Sequence, residues 1–196
     1  MEQQRHTSTK RNLREALIKL LRTHSADEIT VSMLTREAGI NRATFYAHYQ
    51  DKNDLLEAQI EDFIQEISDI LLSKTDMPPA KAARDLIPYS RVLDALRSVY
   101  DNRELGMALV AADSEGKLKD RFKDLLWQLI MQEVERAPEL TPTFKEVPEA
   151  YAREIALAGI MSVIWQWVGG GCTESPEEIA RILDIAKCYP PYELLQ

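Results

Sequence analysis

Between Thr30 and Tyr49 two amphipathic segments, each too short to be stable alone, meet at a single glycine. Isolated helices shorter than about 12–15 residues are marginal in water, so both must be held by packing against other parts of the chain. Thr30 stands as an N-cap before Val31–Ala38, where Val31, Leu34 and Ala38 share one face. Gly39 follows, the residue type at ease with the positive φ that a tight turn needs. Ile40 can plug a core, and Asn41 is a good cap for a third segment, Arg42–Tyr49. Buried positions at Leu34, Ala38, Ile40 and Phe45 would hold such a pair at a steep angle, a helix-turn-helix. One face of the second helix stays free, carrying Arg42, Ala43, Thr44, Tyr46, Ala47 and His48.

The flanking segments supply the missing packing. From Thr9 to His24, Leu13, Ala16, Leu17, Leu20 and Leu21 form one apolar stripe at helical spacing. Asp51 with Asp54 three residues on resembles a capping box and opens a long fourth helix reaching about Ser73. Leu55, Leu56, Ile60, Phe63, Ile67 and Ile70 give that helix its own stripe. Met77-Pro78-Pro79 is the clearest break, and it divides a domain over 1–73 from a larger one over 74–196.

Beyond the break the pattern predicts helices near 80–86, 88–101, 103–113, 116–136, 148–168 and 176–187. Pro138, Pro142 and Pro148 bracket a loop. Ser175-Pro176-Glu177-Glu178 places cap, N1 proline and N3 carboxylate in order at the start of the last helix. No strand pattern or internal repeat appears. The expected fold is all-α, an N-terminal three-helix helix-turn-helix domain followed by a larger helical domain.

Composition narrows what such a chain does. Its formal net charge is −8, but residues 1–56 hold 9 Lys and Arg against 7 Asp and Glu, and the rest hold 15 against 25. All three histidines also lie in the first part. A weakly basic head on an acidic body fits a protein that meets phosphates at one end. No apolar run approaches the roughly 18 residues of a membrane span, and Met1–Lys10 lacks the apolar middle of a signal peptide, so no membrane partner is expected. Cys172 and Cys188 show no metal-ligand spacing, which leaves a reducing, cytoplasmic setting without metal or cofactor. Phosphate-loop, dinucleotide, HExxH and GxSxG motifs are all missing, and Gly169-Gly170-Gly171 reads as a helix terminator, so an enzyme is not expected.

On the free face, Arg42 offers bidentate donors to guanine, Ala43 and Thr44 suit a thymine methyl, and Tyr46 and His48 reach toward phosphates. Spacing alone fits equally a helical adaptor that never touches DNA, or a helical carrier or enzyme using a C-terminal cavity. The string itself goes further. Thr30 to Leu56, with its Ala38-Gly39-Ile40 turn, the run Thr44-Phe45-Tyr46-Ala47-His48-Tyr49 and Lys52 before Leu55-Leu56, closely resembles the tetracycline-repressor (TetR) family of regulators over roughly residues 9–60.

The resemblance implies a dimeric transcription regulator, a repressor by family habit, released from a palindromic double-stranded operator by a small molecule. Thr30 and Ser32 would then touch phosphates. Arg42, Ala43 and Thr44 would face bases or backbone, and Tyr46, His48 and Tyr49 the groove edge, although the ring of Tyr49 fits a core role better. Lys52 would neutralise a phosphate. Lys10, Arg11 and Arg14 form either a basic arm or a solvated helix start.

The later domain would sense the effector and form the dimer. Ala156–Gly171 followed by Ser175–Ala180 is similar to the C-terminal helix pair in one branch of these regulators. Ala156, Gly159, Ser162 and Val163 place small side chains on one side of a helix otherwise bulky all round. A twin subunit would cover that side, unless the helix is wholly buried within one chain. Tyr100, Met107, Phe122, Leu126, Trp127, Met131, Ile164 and Trp165 are candidates to line a cavity for an apolar or aromatic effector, against the simpler reading that they are plain core.

Overall fold

A computed structural model describes residues 2–73, 80–140 and 147–187, with side chains placed from residue 8 onward except at 83 and 84. Among these the chain is helical throughout, without a strand. Helix α1 spans Glu2–Leu21, α2 Val31–Glu37, α3 Arg42–Tyr46 and α4 Lys52–Leu71. Then follow α5 (Tyr89–Asp101), α6 (Arg103–Ala112), α7 (Lys117–Arg136), α8 (Glu149–Gly169) and α9 (Pro176–Ala186). None of the described helices is long and apolar enough to cross a membrane.

The short helices owe their ends to capping. Thr30 Oγ1 accepts the Met33 N–H at 3.3 Å, and Asn41 Oδ1 accepts both the N–H and the hydroxyl of Thr44, at 2.7 and 3.0 Å. Between them Gly39 sits at φ +65°. Its N–H donates to Arg36 O at 3.3 Å and that of Ile40 to Thr35 O at 3.0 Å, a Schellman pair closing α2. A Cβ on Gly39 would meet nothing within 4 Å, so the demand for glycine here is purely torsional. Gly39→Ala is expected to lower stability by about 1 kcal/mol through left-handed backbone strain. An unchanged urea midpoint would contradict this.

Three boundaries depart from expectation. α1 begins earlier than Thr9 and stops at Leu21 rather than His24, where the N–H groups of Thr23 and His24 both turn back to Leu20 O, at 3.1 and 2.9 Å. α3 stops at Tyr46, three residues before Tyr49, because the N–H groups of His48 and Tyr49 converge on Phe45 O at 2.9 and 3.0 Å and swing Tyr49 into the core. The stretch 80–86 holds only a 3-10 turn, Ala83–Leu86, its backbone anchored by the Asp85 carboxylate accepting the Ala82 N–H at 3.1 Å. The Met77-Pro78-Pro79 break, Pro142 and Cys188 lie outside the described residues.

Two cores meet along α4. The first gathers Leu13, Leu17, Leu34, Phe45 and Leu55, with Ala108 reaching in from α6. The second gathers Phe63, Ile67, Leu96, Leu109, Leu129, Leu157, Met161 and Trp167. The seam therefore crosses α4 between Leu55 and Phe63, inside the segment that the sequence reading placed wholly in the first domain. Polar ties reinforce it: Arg14 donates to Asn102 at 3.0 Å, Asn102 to Glu66 at 3.1 Å, and Arg22 pairs with Glu104 at 2.7 Å.

Candidate nucleic-acid interface and inner cavity

The α2–α3 unit presents an outer surface built on its own caps. Thr30 and Ser32 are exposed at the start of α2, and the Arg42 guanidinium reaches across from α3 to donate to Ser32 Oγ. Those two predicted contacts therefore share one patch, and the remaining N–H groups of Arg42 stay available for recognition. Ala43 is exposed, and Tyr46 projects with 56% of its surface accessible. Thr44 and His48 are half-buried, the Thr44 hydroxyl being taken up by Asn41.

Two residues of the expected DNA-contact set are tied into the head itself. Tyr49 is buried, its ring 6.0 Å from that of Phe45, so it supports α3 from behind rather than facing a groove. Burial, with Asp62 and Asp54 nearby, pushes its phenol pKa up. Lys52 is half-buried, and its ammonium donates to Ala26 O and Asp27 O at 2.8 and 2.7 Å, stitching the start of α4 to the loop after α1. An ammonium has three N–H groups, so one remains for a phosphate.

A cavity of about 50 Å³ lies deeper, among α4, α5, α7, α8 and α9. Its walls include Ile67, Leu71, Val92, Leu96, Met161 and Leu183, and among the predicted ligand residues Phe122, Leu126 and Ile164. The other five lie elsewhere. Tyr100 stacks on Trp167, with ring centroids 6.5 Å apart, beneath the Arg103 guanidinium. Trp127 lies under Arg153, and Met107 and Met131 are each 38% exposed. Trp165 packs edge-on against Phe122 at 5.8 Å, one shell behind the wall. Helical spacing put these side chains on plausible faces, but which face turns inward depends on neighbouring helices.

On α8 an outward face carries Tyr151, Ile155, Ala158, Gly159 and Ser162, with Tyr151 67% and Ile155 71% exposed. On α9 Ile182 and Ile185 are 39% and 40% exposed. The alternative of complete burial within one chain does not hold for α8. Of the four predicted interface residues, Gly159 and Ser162 lie on this face and Ala156 is exposed at its flank. Val163 is half-buried and packs on the core. Tyr151, Ile155, Ile182 and Ile185 escaped the sequence reading because branched and aromatic residues in a helix read as core.

Comparison with known proteins agrees with this architecture. The sequence model for bacterial regulatory proteins of the tetR family matches residues 13–58, and a transcriptional regulator C-terminal region of TetR type matches 88–186. The HTH-type transcriptional regulator YxbF of Bacillus subtilis is 24% identical over 181 residues, 89% of this chain but only 43% of its own length. The HTH-type transcriptional regulator BetI of Escherichia coli is 22% identical over 160 residues, 80% of either chain. A crystal structure described as a TetR-family regulator from Syntrophomonas wolfei superposes with a TM-score of 0.63 at 18% identity, covering 93% of this chain and 94% of its own. With both halves matched in order and the all-helical fold shared, the chain belongs to the TetR family of DNA-binding transcriptional regulators.

Proposed function

We propose that this regulator is a cytoplasmic repressor that holds a palindromic operator as a homodimer and lets go when an apolar effector enters the inner cavity. The observation that carries the reading is α4. Leu55 near one end is packed in the head core, while Ile67 and Leu71 near the other are cavity wall, on one helix of 20 residues without a break. A rod of that length, about 30 Å, passes movement at the cavity to the α2–α3 unit. The cavity is far smaller than the roughly 300–1,000 Å³ of a ligand pocket. An occupant must therefore part the helices, and α4 is one of them. In this reading the cavity binds its occupant without transforming it.

Thr30, Ser32, Arg42, Ala43, Thr44, Tyr46 and His48 then form the DNA-facing set, with Lys52 contributing through its remaining N–H. The outward faces of α8 and α9 join two subunits, spacing the two α3 helices for successive major grooves about 34–36 Å apart. Residues up to the seam in α4 act as the reading head, and the remainder as the sensing and dimerisation body.

Gel-shift titrations on inverted repeats upstream of the gene and its neighbours test this. Arg42→Ala is expected to cost about 1–3 kcal/mol and relax base preference if the guanidinium grips a base edge. Lys52→Ala should weaken binding to every sequence and reduce the salt dependence by about one unit of slope. Unaltered affinity and specificity in both variants would sink the assignment of this surface.

A further inference from the structure

Resting on the reading of the inner cavity as the effector site, we propose that its occupant is a slender aliphatic amphiphile with an anionic head group, an alkyl carboxylate, whose head lies at Lys187. A void of only about 50 Å³ bordered by five helices is a tight crevice that takes an occupant only if its walls give way. Side chains can lean aside for a thin flexible chain more readily than for a fused ring system, because core packing resists bulk. The walls are mostly aliphatic, with two aromatic rings, those of Phe122 and Tyr89, and almost all of their accessible atoms are apolar. A sugar or nucleotide would bury hydroxyl and amide groups there without partners, a strongly unfavourable exchange with water.

One charged side chain stands among the wall residues. Lys187 follows the end of α9, only 11% of its side chain is exposed, and its ammonium donates to Ile87 O at 2.9 Å. Ile87 is itself wall, so the charge sits at that end of the crevice. Tyr89, two residues on, also borders the cavity and is 41% exposed, which places an outlet to solvent on the same side. The other partner of the ammonium is Asp184 at 2.7 Å, half-exposed and one turn back on α9. Solvent screens the half-exposed Asp184 carboxylate, so an entering carboxylate can replace it or take the third N–H of the ammonium. The Ile87 carbonyl keeps the ammonium in place meanwhile. A cationic head would meet like charge at that end, and an uncharged one would gain from its tail alone.

The test uses three probes of equal chain length: decanoate, decan-1-ol and decyltrimethylammonium. Each is titrated below its micellar concentration into the full-length protein, by calorimetry and by tryptophan emission, since Trp165 packs on the wall residue Phe122. Decanoate is expected to bind at least tenfold more tightly than decanol, and the cation most weakly. Lys187→Met, checked for folding by circular dichroism, should abolish the preference for decanoate over decanol. Asp184→Asn should tighten decanoate binding severalfold by removing the competing carboxylate. Equal binding of decanol or the cation, or a Lys187→Met protein that still prefers decanoate, would overturn the anionic-head assignment while leaving an apolar effector site standing. Failure of all three probes to bind the folded protein would overturn the effector-cavity reading itself.

Discussion

Gly159→Arg is expected to give a folded monomer that has lost most of its affinity for an inverted-repeat operator. Gly159 is exposed on α8, and a Cβ built there meets nothing within 4 Å, so the subunit accommodates the longer side chain. The guanidinium would instead stand on the α8 face that also carries Tyr151 and Ile155, part of the apolar surface we assign to the twin subunit. Burying an unpaired charge at such a contact costs several kcal/mol, enough to dissociate a modest dimer. With one head per particle the second half-site no longer binds at high effective concentration. Operator affinity should then fall by roughly a hundredfold or more. Sedimentation and operator titration read both effects. Gly159→Ala, adding only a methyl group, should remain dimeric. If Gly159→Arg stays dimeric and binds normally, the interface lies elsewhere.

The second large effect concerns stability. Glu133 on α7 is 1% exposed and lies between two guanidinium groups, Arg91 at 3.2 Å and Arg136 at 2.9 Å. Arg91, buried on α5, also donates to the carbonyl of Leu71 at 3.0 Å, the last residue of α4. One carboxylate thus ties α5 and α7 directly, and α4 through Arg91. Glu133→Ala would leave the Arg91 charge buried without its counter-ion, a loss of about 3–5 kcal/mol. That is a large share of the roughly 5–15 kcal/mol by which domains are stable. Arg91→Met combined with Glu133→Leu should recover most of it, because apolar replacement of a whole buried pair is often neutral. Urea unfolding of the two variants decides the point. A loss below about 1 kcal/mol for Glu133→Ala, no larger than a solvated pair contributes, would mean the pair is solvated in practice. Leu71 is also cavity wall, so the same tie holds the cavity end of α4 in register.

Several of these features are legible in the sequence. The caps at Thr30, Asn41, Asp51 and Ser175 each rest on a side chain bonding a backbone N–H two or three residues away, a signal contained in the local sequence. Gly39 was legible for the same reason, since a positive φ is a local demand. The overrun of α3 to Tyr49 shows where local reading stops. Nothing in Ala47-His48-Tyr49 forbids another turn of helix, and the chain leaves it because Tyr49 is drawn against Phe45. The tie from Lys52 to carbonyl groups 25 and 26 residues earlier has no local sequence signal either, and it leaves the ammonium one N–H for a phosphate.

The amino-acid sequence by itself determined most of the helices, their caps and the helix-turn-helix, because these depend on hydrogen bonds and periodicities spanning a few residues. It also carried the family, through the run from Thr30 to Leu56. Tertiary structure decided which side of each later helix turns inward. α8 is apolar nearly all round, so no periodicity separates Ile164 on the cavity wall from Ile155 in solvent. The assignment comes only when α4, α5, α7 and α9 close around one side of it. The buried Glu133 and the cationic end of the crevice at Lys187 have the same origin. A single Glu or Lys in a helix is ordinarily solvated, and only neighbours brought together from distant parts of the chain give it a buried partner.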